Sequence, residues 1–169
     1  MLMRGKQVVP PGGDYSKLLA EADILITTLG PDDAAPATGS GGSAARPELV
    51  HVNISGWGMK GPYARYPMSE GLVAAKSGRM ASFEGQNPRE GPVYTAVQVA
   101  TFAASQIAVQ GALAGLMTRA MTGRGERVET SLLQAIMPYD TSAFVRAQLE
   151  PRYPKYLPPE PVSEKIPRI

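Results

Sequence analysis

The sequence contains no cysteine, which excludes a disulfide framework, thiolate metal ligands and a cysteine nucleophile. Its one histidine, His51, cannot assemble a zinc site alone, so no metal is expected. Charge is also scarce: Asp, Glu, Lys and Arg make up 19% of the chain, against about a quarter in ordinary soluble domains. The formal net charge of +2 comes from the tail, where Arg152, Lys155, Lys165 and Arg168 outnumber Glu160 and Glu164. The remainder balances, so neither nucleic acid nor an anionic membrane surface is an expected partner. The opening MLMRGKQVVPPGG lacks the apolar core of a secretory signal, and cytoplasmic residence is the expectation.

What is present is a chain of 169 residues, 43% apolar and rich in glycine (18) and proline (16). That length supports one hydrophobic core, and the composition suits an α/β domain with turn-rich connections. The segment from Gly91 to Thr118 carries no charge and is long enough on paper to cross a bilayer. It also holds Pro92, Thr95, Gln98, Thr101, Ser105, Gln106 and Gln110, and favours Ala over Leu and Ile. A buried helix of a soluble domain fits that composition better than a membrane span.

Along the chain, Asp14 is placed to cap a short helix over Tyr15 to Ala22 whose Leu18 and Leu19 face inward. Ile24 to Thr28 and Leu49 to Ser55 are apolar, β-branched runs of the kind found in parallel strands buried on both faces. Between them GPDDAAPATGSGGSAAR reads as a surface loop. Its Gly39, Gly41 and Ala44 match a dinucleotide fingerprint formally, without the preceding strand and following helix that the fingerprint requires. Gly56 to Tyr63 is a glycine-punctuated turn at a strand end, where α/β folds bind ligands. Helices are expected over about Ser69 to Ser77, Phe102 to Met121 and Leu132 to Met137, with a strand from Arg127 to Ser131. Gly111 and Gly115 each cost the long helix about 1 kcal/mol relative to alanine, so they imply tight packing against a neighbour. The last 19 residues hold six prolines, and 151–169 is expected to be a linker or tail following a domain over 1–150. The element order predicts an open, mainly parallel Rossmann-like sheet with helices on both faces.

Several segments in this order resemble family III CoA-transferases (the CaiB/BaiF type, which includes formyl-CoA and carnitine-related transferases). They are LLAEADILI, PELVHVNISGWGMKGPYARYP, PMSEGLVAAKSGRM, and the TGRG turn followed by a strand and SLLQA. The resemblance implies acyl-CoA as a substrate and a homo- or heterodimeric assembly with a CoA-transferase-like subunit. It also implies a longer chain than this one, so a fragment, a split subunit or a truncated frame is expected. In the family an aspartate at the start of the long helix attacks the thioester, forming a mixed anhydride and then an aspartyl-CoA thioester. Counting back from TGRG without gaps places Thr101 at that position. The hydroxyl of Thr101 is expected to cap the helix rather than act as nucleophile, because no histidine lies beside it in sequence to activate it. Glu70 falls at an acidic family position and is the alternative carboxylate.

By the same resemblance Thr28 stands where the family has an asparagine near CoA, and Trp57 is placed against adenine or acyl chain, or else in the core. Lys60, Arg65, Lys76 and Arg79 are the cations available to CoA phosphates, with solvated surface charge as the alternative for each. Arg124 is expected to secure its turn. The racemase branch has a histidine where this chain has Ser69, so a racemase is not expected. The functional expectation is a CoA-transferase-like domain without its nucleophile, acting as a heteromeric or non-catalytic partner. The alternatives are a structural or acyl-CoA-binding module and an unrelated α/β binding module.

Overall fold

A computed structural model describes residues 5–10, 15–33, 46–80, 91–141 and 148. The elements run α1 (Ser16–Glu21), β1 (Ile24–Thr27), β2 (Val50–Ser55), α2 (Glu70–Lys76), α3 (Val99–Thr122), β3 (Arg127–Ser131) and α4 (Leu132–Ile136), ending in a 3-10 turn at Met137–Asp140. The three strands form an open sheet in the order β1-β2-β3, and both pairings are parallel, with Ile26 beside Val52 and Val52 beside Val128. This is the open parallel α/β sheet that the alternation of strand and helix patterns predicts.

Helix α3 lies against β2 and β3 because its inner face is almost free of side-chain bulk. Ala108 and Ala112 pack on Val50 and Val52, flanked by Ile24, Ile54, Leu116 and Val128. A Cβ added at Gly111 would stand 2.5 Å from Val128 Cγ1, and one at Gly115 2.7 Å from Val50 Cγ1. Dispersion contacts along this approach offset the helix propensity lost at both glycines. A second core joins the first half of α3 to α2 and α4 through Ala100, Ala103, Ala104, Val73, Leu132, Ala135, Ile136 and Trp57.

The TGRG turn ties the far end of α3 to the sheet. Gly123 ends the helix in the left-handed region, at φ 72°, where L side chains are strained. Two residues later the Gly125 N–H donates to the Pro47 carbonyl at 2.8 Å, and the Leu49 carbonyl lies where a Cβ at Gly125 would sit. The turn is held by backbone; the Arg124 side chain is exposed, and the Arg124 N–H donates to Thr122 Oγ1 at 3.2 Å.

The opposite face of β2 is polar and buried. His51 is 1% exposed and Asn53 is fully buried. Asn53 Oδ1 accepts the Leu29 N–H and the Thr27 hydroxyl, each at 2.9 Å, while its Nδ2 donates to the Leu29 carbonyl at 3.1 Å. Thr27 has spent its one proton on Asn53, so His51 Nε2, 2.8 Å from Thr27 Oγ1, must be the donor of that pair. The lone histidine is therefore a structural one that carries its proton on Nε2. Burial lowers its pKa first, and the Arg127 guanidinium lowers it further, against an opposing pull from Glu129.

Four expectations are corrected. Leu18 is 48% exposed rather than inward-facing, because α1 buries no residue. Strand β1 is not buried on both faces: Ile26 is 57% exposed, since β1 lies at one edge of the described sheet and α3 runs over β2 and β3 instead. Helix α3 begins at Val99 rather than near Phe102. It is also buried on one side only, with Phe102, Val109, Leu113, Met117 and Met121 turned outward. It is the one helix among the described residues long and apolar enough to cross a membrane. The Asp14 cap, the Gly39/Gly41/Ala44 loop and the 151–169 tail lie outside the described residues.

Two measurements check this account. Gly125→Ala should cost about 3 kcal/mol or more, against about 1 kcal/mol for Gly123→Ala, read from urea midpoints, because only the first meets fixed backbone. The unfolded chain protonates His51 near pH 6.5, whereas the native chain resists protonation until lower pH. The stability due to neutral His51 is thus complete above about pH 6.5 and declines as the pH falls below it. His51→Gln should flatten the decline between pH 7.5 and 5.5; an unchanged slope would remove His51 from the account.

Candidate active site at the tip of helix α3

The tip of α3 is built from two helices. Ser69 is the extended residue before α2, and Glu70 opens that helix. Upstream, Gly56 sets the approach: a Cβ there would stand 2.9 Å from Met68 Cα, so the strand-end turn and the α2 entry touch backbone to backbone. From this position Glu70 reaches across to α3. Its Oε1 accepts the Ala100 N–H at 2.9 Å, and its Oε2 accepts both the Thr101 N–H and the Thr101 hydroxyl at 2.7 Å.

This geometry corrects the expected role of Thr101. Thr101 lies inside α3, and the residue before the helix, Gln98, makes no side-chain cap bond. The cap is the Glu70 carboxylate, which satisfies two of the otherwise unpaired first-turn amides and lies in the favourable field of the helix N-terminus. Thr101 contributes a hydroxyl proton to that carboxylate. The same bonds explain the early start of α3: with Ala100 and Thr101 amides satisfied from α2, the helix opens a turn before the position where a side-chain cap was sought.

A cleft of about 230 Å³ lies upstream, at the carboxyl ends of β1 and β2. It is lined by Thr28 to Asp33, Ser55, Gly56, Ala64, Arg65, Tyr66 and Met68. Sites for drug-sized ligands typically occupy about 300–1,000 Å³, so this cleft has room for part of a larger molecule. The Asn53 network braces its wall, since both backbone groups of Leu29 bond to Asn53. Gly56 and Met68 line the cleft and lead to Glu70, so cleft and helix tip are neighbouring parts of one edge of the sheet.

The candidate ligand-binding residues fall into separate groups. Thr28 and Arg65 both line the cleft. Arg65 is already engaged, donating from Nε and Nη2 to the two Asp32 oxygens at 2.8 and 2.9 Å. An anion entering there meets Asp32 and Asp33 as well as Arg65, and gains the guanidinium only by displacing Asp32. Trp57 is 6% exposed in the core, with its Nε1–H donated to Pro67 O at 3.1 Å, which leaves little of the ring to a ligand. Tyr63 and Tyr66 pack on it, with ring centroids 6.0 and 5.7 Å away. Lys76 Nζ sits 4.7 Å above the Tyr63 ring. Arg79 Nη1 donates to the Tyr139 carbonyl at 3.3 Å, and Lys60 is exposed on the turn. Arg65, Lys76 and Arg79 thus each have a different partner.

Sequence reasoning missed the acidic cleft wall. The signal was the GPDD following β1: Asp33 Oδ2 accepts the Gly30 N–H at 2.7 Å, an aspartate turn that folds Asp32 back toward Arg65. Among the described residues no group of His, Asp and Glu is arranged to hold a metal ion.

Comparison with known proteins accords with this architecture. Over 136 residues the chain is 27% identical to the formyl-CoA:oxalate CoA-transferase of Streptomyces coelicolor, covering 79% of this chain and 31% of that protein. It is 29% identical to the succinyl-CoA–L-malate CoA-transferase alpha subunit of Chloroflexus aurantiacus over 130 residues, 72% of this chain and 29% of that one. The chain thus spans about a third of the length of the curated relatives it matches. Among solved structures, Mycobacterium tuberculosis Rv3272 superposes with a TM-score of 0.68 at 19% identity, over 79% of this chain and 38% of that chain. A CaiB/BaiF family protein from Brucella suis superposes with a TM-score of 0.63 at 22% identity, over 78% of this chain and 36% of that chain. These two share the fold. The model of CoA-transferase family III matches residues 15–158, and the chain belongs to that family.

Proposed function

We propose that this chain is an acyl-CoA-binding portion of a family III CoA-transferase in which position 101 no longer supplies the acyl-accepting carboxylate. In this reading it works with a further CoA-transferase-like domain or subunit. The observation that carries the reading is the capture of Glu70 by the Ala100 and Thr101 amides and the Thr101 hydroxyl. A threonine whose proton is committed to a carboxylate serves as a positioning donor. Glu70 is close enough to act as its general base, yet acylation would leave an alkyl ester. An ester carbonyl is much less electrophilic than the mixed anhydride that CoA exchange through a carboxylate requires. Thr101 is therefore a poor entrance to the reaction for reasons of energy as well as activation.

The geometry supports a second reading, in which Glu70 itself accepts the acyl group. Three donors hold a carboxylate at the helix tip, the place from which the family reaction needs one. Hydrogen bonding lowers the nucleophilicity of that carboxylate, and Oε1 accepts one of the three bonds against two at Oε2. Attack from Oε1 on the thioester carbonyl would expel the CoA thiolate, which would return to the glutamyl carbonyl and release the acyl acid.

Calorimetry with CoA, formyl-CoA and succinyl-CoA is expected to give binding below about 1 mM; no heat with any of them would remove both readings. With binding in hand, Thr101→Asp is expected to create a hydroxylamine-sensitive acyl adduct absent from the native chain. An adduct on native Glu70, lost in Glu70→Gln, selects the second reading instead. Independently of chemistry, Glu70→Ala should lower stability by about 1–2 kcal/mol, because the α3 amides lose their cap. Thr101→Val should cost less, and equal losses in urea titrations would contradict the assignment of the cap to Glu70.

A further inference from the structure

Two loops at the cleft are joined by one ion pair, Arg65 with Asp32. Arg65 donates from Nε to Asp32 Oδ2 at 2.8 Å and from Nη2 to Asp32 Oδ1 at 2.9 Å, and both residues line the cleft. Each stands on a fixed mount. Asp32 lies in the turn that the Gly30 N–H closes onto Asp33 Oδ2 at 2.7 Å. That turn follows Leu29, whose two backbone groups bond to Asn53. Arg65 lies between Ala64, whose N–H donates to the Gly61 carbonyl at 3.2 Å, and Tyr66, whose N–H donates to the Tyr63 carbonyl at 2.9 Å. The Tyr66 ring packs edge-on to those of Trp57 and Tyr63, with centroids 5.7 and 5.3 Å away.

Stability does not account for the pair. The Arg65 and Asp32 side chains are 75% and 64% exposed, and ion pairs this open to water contribute little to folding. The geometry is nonetheless the two-bond fork with which arginine grips a carboxylate or a phosphate. A weak pair in that geometry, on the wall of a cleft, suits a contact that is exchanged.

We infer that Asp32 is a tethered competitor for the Arg65 fork, which a phosphate group of the ligand takes over when Asp32 turns out to solvent. The tether sets the class of ligand. Asp32 meets Arg65 at an effective concentration on the order of millimolar or more, so a free carboxylate, with the same two oxygens and single charge, does not displace it. A phosphate has a third oxygen and, as a monoester, a second charge. Arginine has further N–H donors beyond the two that Asp32 engages. Asp32 then weakens any phosphate ligand by the share of time it holds the fork. The inference deepens the acyl-CoA reading and rests on it for the source of the phosphate; the exchange at Arg65 needs only the anion.

Calorimetry with CoA and with inorganic pyrophosphate separates the two. Asp32→Asn should tighten each by about two- to fivefold, the share that a weak exposed pair withholds, and Asp32→Ser should act alike. Arg65→Gln should weaken both ligands, and in that background Asp32→Asn should change neither. In NMR spectra the Arg65 Nε–H signal, assigned by its loss in Arg65→Gln, should shift with pyrophosphate and stay in place with acetate. CoA bound equally by the native chain and Asp32→Asn leaves the acyl-CoA reading standing and overturns the competitor. So does equal tightening in the Arg65→Gln background, where loss of a negative wall charge explains it alone, or an Arg65 signal moved as far by acetate as by pyrophosphate. Pyrophosphate tightened by Asp32→Asn through Arg65, with no heat from CoA, upholds the competitor and removes the acyl-CoA reading. No heat with either ligand for any variant overturns both.

Discussion

Everything at the tip of α3 depends on how closely that helix lies on the sheet. Val50 and Val128 occupy the space that side chains at Gly115 and Gly111 would need, so the helix axis is set by backbone-to-valine contact. At its far end the turn through Gly123 and Gly125 locks to the Pro47 carbonyl. A helix held along its middle and at one end has its tip placed by those contacts. That placement brings the Ala100 and Thr101 amides within reach of a carboxylate from α2. A helix standing off by the width of two methyl groups would leave Glu70 short of both amides.

A helix tip favours a negative group in its field. In this chain the group there is the Glu70 carboxylate, delivered from the neighbouring element and held by the Ala100 and Thr101 amides and the Thr101 hydroxyl. The side chain at 101 alone is therefore an incomplete guide to the tip, because the oxygens that meet the first-turn amides belong to a residue of another helix.

Much of the fold was legible because it rests on local pattern: the β-branched run of β2, the glycine-spaced length of α3 and the TGRG stop with its following strand. The ends and faces were less legible, for a physical reason. The start of α3 was sought at a residue able to cap its own helix, whereas the cap comes from Glu70, 30 residues earlier than the Ala100 amide it satisfies. The edge position of β1 was likewise invisible, since Ile24, Leu25 and Ile26 read the same whether or not a further layer covers them. Glu70 was named as an alternative carboxylate from the resemblance, but only the packing of α2 beside α3 shows what holds it. The partners of the candidate cations were not legible either: Arg65 pairs with Asp32, and Lys76 lies over the Tyr63 ring.

The polar face of β2 connects these parts. His51, Asn53 and Thr27 give the sheet a hydrogen-bonded interior on the side away from α3, and every bond in it has an assignable donor. Because Thr27 has one proton and Asn53 Oδ1 takes it, the network admits a single arrangement, with both Leu29 backbone groups fixed at the mouth of the cleft. Buried polar groups cost stability unless fully paired, so a sheet face built this way is retained most economically when it holds something in place. Here that is the turn that carries Asp32 against Arg65. The cleft wall is therefore set from the side of the sheet opposite α3, and the helix tip from the side that α3 covers. Between the two, the backbone of Gly56 stands against that of Met68, two residues before Glu70.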